Sequence, residues 1–209
     1  MKNRIKLDST DLTPSKVVCV GRNYVGHIKE LDNSTPSEPV VFIKPNSAIS
    51  NELVLKIGDE VHYEAELAFI IECGKLAGVG FGLDLTKRKV QDSLKSKGLP
   101  WERAKAFDQS AVFSEFVTVP EDISKLRLEL EINGQLKQQG GCSMMLYQPK
   151  DLINEINSFM TLEDGDVLMT GTPAGVGRIH AGDEFVGKVF DAEKALLEVR
   201  WRASGLGSF

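Results

Sequence analysis

Short runs of branched and aromatic residues recur along the chain and predict a β-rich fold. Such side chains favour strands, and the runs occupy residues 17–20, 40–43, 64–71, 126–132, 167–169, 184–189 and 195–199. Gly-Asp pairs at residues 58–59, 165–166 and 182–183 stand before three apolar segments and predict turns that open strands. Asn133-Gly134 predicts a hairpin that joins residues 128–132 to residues 135–138.

Helical spacing of apolar residues is found in fewer segments. Residues 86–97 predict a helix that ends at Gly98, with Val90 and Leu94 on one face. Residues 150–159 predict a second helix, and residues 27–31 predict a single turn. Strands and helices without an internal repeat or a linker predict one β-rich α/β domain.

Two carboxylates, Glu64 and Glu66, interrupt the apolar run of residues 61–71. Side chains alternate between the faces of a strand, so both carboxylates are expected on one face, opposite an apolar face fit for a core. Two anions in a mostly buried strand repel each other and lose hydration, which favours a bound cation between them. The alternatives are a solvated strand face or one carboxyl group that stays neutral.

Asp84 is the second candidate ligand, because it stands where an apolar strand gives way to the predicted helix. Three carboxylates would form an all-oxygen site suited to Mg²⁺, Mn²⁺ or Ca²⁺ rather than to zinc or copper. The alternative for Asp84 is a residue that caps the helix.

Three further residues are candidates for acid–base chemistry. Lys105 has small and aromatic neighbours and could balance the carboxylates or bind an oxyanion, although a surface lysine is the alternative. His27 and Glu30 are spaced to touch on a helical turn, where the carboxylate would make the histidine a better general base. The alternative for His27 and Glu30 is an exposed turn with an incidental ion pair.

Two loops complete the candidate site. Residues 170–177 are rich in glycine but lack the Gly-Lys-Ser/Thr ending of a phosphate-binding loop, so they could bind a carboxylate or form an ordinary tight loop. Residues 24–37 contain Gly26 and a polar stretch, and this composition predicts a mobile lid.

Composition narrows the class of protein. A length of 209 residues suits one domain, and a net charge of −5 argues against a nucleic-acid partner. The three cysteines form no zinc or disulfide pattern. No apolar run approaches the roughly 20 residues that span a bilayer, and the first residues resemble neither a signal nor a transit peptide, so we expect a cytoplasmic protein without a membrane partner.

Six segments, taken together and in this order, resemble the fumarylacetoacetate hydrolase family, especially its small single-domain members. They are VVCVGRNYVGHIKEL, EPVVFIKP, VHYEAELAFII, GLDLTKRKVQDSLKSKGLPWERAKAFD, INGQLKQQG and TLEDGDVLMTGTPAGVG. The resemblance implies a mixed β-sheet roll and a homodimer. It also implies an N-terminal extension at residues 1–15 and a catalytic domain at residues 16–209 that includes the lid. The linker between Glu66 and Asp84 is shorter than is usual in that family.

The resemblance assigns a role to each candidate. It implies that Mg²⁺ or Mn²⁺ is bound by Glu64, Glu66 and Asp84. It implies a catalytic dyad on the lid, His27 and Glu30, and a lysine that faces the reacting oxygen, Lys105. The substrate-binding residues that it implies are Arg22, Arg88, Gln91 and Thr172.

The activity implied first is hydrolytic C–C cleavage of a small 2,4-dioxo acid, an acylpyruvate or fumarylpyruvate, through a pyruvate enolate that the metal stabilises. The alternatives are oxaloacetate decarboxylation, oxaloacetate keto–enol tautomerisation, and isomerisation of the 2-hydroxyhepta-2,4-diene-1,7-dioate type in aromatic catabolism. Each of these substrates is a small dicarboxylate or 2-oxo acid. A non-catalytic protein that binds a metal or a small acid is the remote alternative.

Overall fold

Eighteen β-strands and four α-helices form in the residues that the computed structural model describes, 2–56 and 60–206. The strands are β1 (Ile5–Leu7), β2 (Thr10–Leu12), β3 (Lys16–Gly21), β4 (Val40–Pro45), β5 (Ile49–Ser50), β6 (Val54–Lys56), β7 (His62–Tyr63), β8 (Ala65–Glu72), β9 (Lys75–Asp84), β10 (Ala111–Phe113), β11 (Val117–Thr118), β12 (Leu126–Ile132), β13 (Gln135–Gly141), β14 (Val167–Met169), β15 (Gly177–Arg178), β16 (Glu184–Asp191), β17 (Lys194–Arg202) and β18 (Ser204–Leu206). The helices are α1 (Val25–Glu30), α2 (Arg88–Ser96), α3 (Glu102–Lys105) and α4 (Pro149–Asn157).

The predicted β-rich, mixed-sheet fold is confirmed. One eight-stranded sheet runs in the order β4-β3-β14-β8-β9-β10-β5, with β11 paired to β9. Its β3/β14 and β5/β10 pairs are parallel and the others are antiparallel. A four-stranded antiparallel sheet has the order β13-β12-β16-β17. All seven predicted strand segments lie in these two sheets.

The two sheets pack face to face over the main hydrophobic core. Alternate residues of β8 and β9, among them Leu67 and Phe81, meet Leu128 and Phe185 of the smaller sheet. The opposite face of β8, with Ala68 and Ile70, packs in a second cluster. Because both faces of β8 are covered, its side chains are buried whichever way they point, and this strand forms a rigid frame for the site.

The described turns between strands lie where the sequence predicts them. Asn133 and Gly134 both have positive φ, 52° and 74°, and close the β12/β13 hairpin. The linker between Glu66 and Asp84 is short because β8 and β9 are joined directly by a two-residue turn, Cys73-Gly74. Gly165 and Gly182 likewise have positive φ in front of β14 and β16, whereas the turn predicted at residues 58–59 lies outside the described residues.

Helix α2 ends as predicted, and a polar residue lies on its buried face. Gly98, at φ 64°, ends the helix, and the N–H groups of Gly98 and Leu99 donate to the carbonyls of Lys95 and Leu94. Val90 is exposed, whereas Gln91 is buried. Helix α2 therefore turns Gln91 rather than Val90 towards the molecule.

Residues before β3 form a small hairpin that packs on the larger sheet. β1 pairs with β2, and Ile5 is buried in the second hydrophobic cluster. Asp166 holds the end of this segment, since its carboxylate accepts hydrogen bonds from the backbone and hydroxyl of Ser15 and from Lys16. Within residues 2–56 and 60–206, no helix combines the length and apolarity needed to cross a membrane.

Candidate active site

Three buried carboxylates lie together where β8 begins and β9 ends. The antiparallel pairing of these strands places Asp84 across from Glu64, and the Asp84 N–H donates to the Glu64 carbonyl at 2.8 Å. Glu66 lies two residues further along β8, on the same face as Glu64. Carboxylate oxygens of the three residues lie within 4.8 Å of one another, and we call this group the carboxylate cluster.

The start of β8 is held by a glutamine that the sequence analysis passed over. β8 begins at Ala65 rather than at Glu64, and the Ala65 N–H donates to Gln138 Oε1 at 2.9 Å. Gln138 Nε2 donates to Thr172 Oγ1 and to the Pro173 carbonyl, both at 2.8 Å. One buried side chain therefore connects β13, the carboxylate strand and the glycine-rich loop of residues 170–177.

Lys105 is buried against the carboxylate cluster rather than exposed on the surface. Its Nζ donates to Asp84 Oδ2 at 2.6 Å, to Glu64 Oε2 at 2.9 Å and to Thr86 Oγ1 at 2.6 Å. Burial alone would lower the pKa of Lys105, but Asp84 and Glu64 outweigh burial and raise it, so the ammonium stays charged.

A second buried lysine, Lys44, supports this arrangement from β4. Its side chain is completely buried, and its Nζ lies 2.8 Å from Asp84 Oδ1. The same ammonium donates to three backbone carbonyls, those of Leu85, Lys105 and Ser110. Lys44 therefore fixes both the aspartate and the backbone that carries Lys105.

Helix α2 adds a cation at the edge of the cluster. Arg88 contacts Glu64 through Nη2 and donates to Gln91 Oε1 through Nη1 at 2.7 Å. Burial would raise the pKa of Glu64, but Lys105 and Arg88 outweigh it and hold that pKa well below its usual range. Glu64 is therefore a carboxylate near neutral pH.

Glu66 is the poorly compensated carboxylate of the three. Burial, then the charges of Asp84 and Glu64, raise the pKa of Glu66 well above its ordinary value. Asp84 Oδ1 accepts no well-directed hydrogen bond from the described residues, although Lys44 lies close to it. Buried oxygens that lack partners and repel one another are the environment that a hard divalent cation satisfies, so these three residues fit such an ion.

The lid segment of residues 24–37 places its histidine at the cluster. His27 and Glu30 belong to α1, and His27 Nδ1 lies 3.0 Å from Glu30 Oε2. His27 is buried, in contrast to the exposed turn that was the alternative. With Nδ1 engaged by Glu30, Nε2 is the ring nitrogen available for proton transfer.

Backbone N–H groups of the glycine-rich loop donate hydrogen bonds to both the carboxylate cluster and the lid. The Gly171 N–H donates to Glu66 Oε2 at 2.7 Å, and the Gly175 N–H donates to Glu30 Oε1 at 2.9 Å. At Gly175, φ is 102° and a Cβ would lie 2.0 Å from the Lys137 carbonyl oxygen, so only glycine fits there. The Thr172 hydroxyl donates to the Ala65 carbonyl and accepts from Gln138, so in this arrangement it braces the loop.

A cavity of about 30 Å³ separates the lid from the cluster, and residues from both line it. Arg22 lines this cavity with a positive φ of 58°, next to Asn23, whose buried side chain is tied to Tyr147 and Thr170. Phe42 and Trp101 form an aromatic wall, with ring centroids 5.9 Å apart. The structure therefore brings nine of the ten predicted site residues around one centre, and Thr172 lies in the loop beneath it.

The family model described as fumarylacetoacetate (FAA) hydrolase C-terminal matches residues 16–207. The chain belongs to the fumarylacetoacetate hydrolase family. It is 43% identical over 192 residues to the oxaloacetate tautomerase YcgM of Escherichia coli (strain K12), across 83% of this chain and 88% of that protein.

Two solved structures superpose closely on this chain. A putative fumarylacetoacetate isomerase/hydrolase from Oleispira antarctica superposes with a TM-score of 0.90 at 40% identity, covering 96% of this chain and 99% of that one. The fumarylpyruvate hydrolase from Pseudomonas aeruginosa, in complex with Mn²⁺ and pyruvate, has a TM-score of 0.87 at 26% identity, with coverage of 98% and 97%.

Three supporting residues escaped the sequence analysis: Lys44, Gln138 and Asn23. A lysine at the end of the apolar segment of residues 40–43 was a usable signal for Lys44, since burying an ammonium requires anionic or carbonyl partners. Gln138 and Asn23 carry no such signal, because polar residues beside glycines resemble ordinary loop residues.

Proposed function

We propose that this chain is a divalent-cation-dependent enzyme that interconverts the keto and enol forms of oxaloacetate. The observation that carries the proposal is the His27–Glu30 dyad, because His27 lines the same cavity as Glu64 of the carboxylate cluster. A proton shift within a compact four-carbon acid needs a fixed base and no second reactant. The 43% identity to an oxaloacetate tautomerase supports the same reading.

Glu64, Glu66 and Asp84 would hold the cation, Mg²⁺ or Mn²⁺. Their oxygens form a hard, buried donor set, one member of which lacks a well-directed hydrogen bond. When bound, the cation supplies Lewis-acid stabilisation of negative charge on the substrate. Mn²⁺ in the fumarylpyruvate hydrolase of similar fold supports a divalent ion.

His27 would move the proton. Nε2 takes a proton from C3 of the keto form, the C2–C3 double bond forms, and the same proton is returned to the C2 oxygen. Glu30 keeps Nδ1 protonated and stabilises the imidazolium that forms between the two transfers. A protein that only binds a small acid needs no such base, so the dyad argues against a non-catalytic role.

The remaining site residues would bind and orient the substrate. Lys105 would donate a hydrogen bond to the C2 oxygen, and stabilise its developing charge, only after it releases one of its three present partners. Arg88 and Gln91 would help to position a carboxylate of the substrate. Thr172 would contact the substrate carboxylate only after its hydroxyl proton turns away from the Ala65 carbonyl. Arg22, at the edge of the cavity, would complete the substrate contacts.

Hydrolytic C–C cleavage of an acylpyruvate or fumarylpyruvate is the second candidate. The fumarylpyruvate hydrolase with bound pyruvate favours it, because that protein superposes over 98% of this chain. In this reaction His27 would take the proton from water instead of from C3. Hydrolysis would therefore need a water molecule bound beside the substrate, whereas the proton shift needs no second reactant.

A substrate panel tests the assignment. Purified protein with Mg²⁺ or Mn²⁺ is expected to speed the loss of the ultraviolet absorbance of enol-oxaloacetate, and a chelator should abolish this effect. Acetylpyruvate, fumarylpyruvate, a homoprotocatechuate-pathway acid and oxaloacetate decarboxylation are assayed in parallel. Faster turnover of a dioxo acid than of oxaloacetate would replace the tautomerase assignment with hydrolysis. Full activity under chelation would refute the metal assignment.

Several expectations from the sequence stay predictions. They are a homodimer, a cytoplasmic location, an extension at residues 1–15 before a catalytic domain at residues 16–209, and mobility of the lid. Light scattering of the purified protein tests the first of them.

A further inference from the structure

Two cations at the edge of the cavity lack a carboxylate partner. Four basic side chains line the cavity, and two of them, Arg88 and Lys105, are paired with Glu64. The other two are Arg22 and Lys95. In the part of the chain that the structure describes, neither of them makes an ion pair with an acidic residue.

Lys95 is held at the cavity rather than free in solvent. It lies on α2 two turns after Arg88, and helical side chains lean back towards the N-terminus, which directs Lys95 towards Gln91 and Arg88. Its Nζ donates to Asn33 Oδ1 of the lid at 3.0 Å. Burial, then the charge of Arg22, lowers the pKa of Lys95, and these effects outweigh the opposing charge of Asp92.

Arg22 lines the same cavity, close enough for its charge to act on Lys95. Its backbone is held in the left-handed region, at φ 58°, which is uncommon for a residue other than glycine. The following residue, Asn23, is completely buried and fixes this backbone through the hydrogen bonds to Tyr147 and Thr170. A strained backbone that aims a charged side chain into a cavity is typical of a ligand contact.

We propose that Lys95, together with Arg22, binds the distal carboxylate of the substrate and so selects dicarboxylates over 2-oxo monocarboxylates. The inference rests on the proposed function, because it takes the proximal end of the substrate to lie at the carboxylate cluster. An anion between Lys95 and Arg22 would neutralise two like charges that now repel each other. Because Lys95 also binds Asn33, the same carboxylate would reinforce the contact between α2 and the lid.

A matched pair of ligands measures how much the second carboxylate contributes to binding at this subsite. L-lactate and L-malate present the same 2-hydroxy acid group, and L-malate adds a carboxylate where oxaloacetate carries its own. Dissociation constants for both are measured by calorimetry on Mn²⁺-loaded protein. The wild type is expected to bind L-malate about 10- to 100-fold more tightly than L-lactate, the range for a hydrogen bond to a charged group.

Lys95→Met is expected to reduce that preference to about twofold or less and to leave L-lactate binding unchanged, since a single charge-assisted contact is removed. Arg22→Met should reduce the preference too, and Lys95→Arg should keep most of it. Lys97→Met is the control, because Lys97 is exposed at the end of the same helix. Melting temperatures establish that each variant is folded.

Two results would overturn the proposal: a wild type that binds both acids equally, or a Lys95→Met variant that weakens both equally. Turnover of oxaloacetate by the wild type is measured as well, because it tests the proposed function independently of the subsite. Turnover without a preference for L-malate refutes only the subsite. A preference that Lys95→Met abolishes, without oxaloacetate turnover, supports the subsite and refutes the tautomerase assignment.

Discussion

Glu30 accepts a hydrogen bond from the Gly175 backbone N–H at 2.9 Å through Oε1, while its other oxygen binds His27. One carboxylate thus ties the lid to the glycine-rich loop and orients the proposed base. The contact between the lid and the glycine-rich loop and the orientation of the His27 ring therefore depend on the same side chain. Gly175 cannot be replaced without moving the loop, because a side chain there would meet the Lys137 carbonyl.

Glu30→Gln is expected to reduce kcat by about 10- to 100-fold, less than removal of the base itself. The amide oxygen can still accept from Gly175 or from His27, but not from both, and its NH₂ group then opposes another donor. We expect KM to change less than kcat, and steady-state kinetics on oxaloacetate measure both. An unchanged kcat would show that His27 does not depend on this carboxylate.

His27→Ala is expected to reduce kcat by about 10²–10⁴-fold, the usual contribution of a positioned general base. Mn²⁺ affinity should stay within about twofold of the wild type, because His27 is not among the residues of the carboxylate cluster. Titration of Mn²⁺ by calorimetry or electron paramagnetic resonance makes the comparison. Loss of the metal in this variant would assign His27 to the metal site instead.

Most of the fold could be predicted because it follows from local patterns. The alternation in β8 separates Glu64 and Glu66 from the core side chains, and Asn133-Gly134 determines the hairpin after β12. Apolar spacing places Val90 and Leu94 on one face of α2, but it does not determine which face is buried. A helix that faces an active site buries polar residues such as Gln91 instead.

The supporting shell of the site could not be predicted, because its partners are distant in sequence. Lys44 meets carbonyls 41 to 66 residues away, and Gln138 meets Ala65 across 73 residues. These contacts depend on how the two sheets and the loops pack, which no local pattern encodes. The resemblance to a family predicted the residues of the candidate active site. The residues that hold them in place were identified only in the structure.

Asp84→Asn and Glu66→Gln are expected to have different effects on the stability of the metal-free protein. Asp84 faces two buried ammonium groups, so Asp84→Asn leaves them short of negative charge and should lower the free energy of unfolding by about 3–5 kcal/mol. Glu66 makes no ion pair among the described residues, and an amide oxygen can keep its hydrogen bond from Gly171.

Glu66→Gln should therefore leave the stability of the metal-free protein within about 0.5 kcal/mol of the wild type, or raise it, because it removes a repelled charge. Both variants should weaken Mn²⁺ binding. Urea unfolding in the presence of a chelator, with Mn²⁺ titration alongside, tests the contrast. Equal destabilisation by the two substitutions would contradict the charge arrangement described for the cluster.

Asp166 should make the stability of the protein depend on acid pH. Its buried carboxylate accepts hydrogen bonds from Ser15, Lys16 and Glu163. Burial would raise the pKa of Asp166, but the hydrogen bonds from Lys16, Glu163 and Ser15 lower it below its usual value. A carboxylate with a lowered folded-state pKa contributes stability above the unfolded-state value, about 3.9, and loses it as the pH falls through the folded-state value.

Asp166→Asn is accordingly expected to lower the free energy of unfolding by about 3 kcal/mol at pH 7. The difference from the wild type should shrink as the pH falls below about 4. Urea unfolding across this range measures it, with Asp164→Asn as the control, since Asp164 accepts one hydrogen bond at an exposed turn. A difference that did not change with pH would exclude the charge of Asp166 as its source.

The lid of residues 24–37 should be mobile in the free protein and ordered with Mn²⁺ and oxalate. Its helix α1 has six residues, too few to be stable alone, and its fully buried apolar anchors are Tyr24 and Ile28. That apolar area contributes only a few kcal/mol, close to what ordering a dozen residues costs. Further ties are single hydrogen bonds, among them those from Gly175 to Glu30, from Lys95 to Asn33 and from Tyr147 to the Pro36 carbonyl.

A bound acid at the cluster would therefore shift the balance towards the closed lid and exclude water around His27. Hydrogen exchange of the lid amides should slow on addition of Mn²⁺ and oxalate, while the amides of α4, which packs on β3 and β14, should keep their rates. Glu30→Ala should speed exchange in the lid of the free protein, because it removes the contact with Gly175. Strong and equal protection of the lid in both states would show that the site is preformed and that this segment does not open.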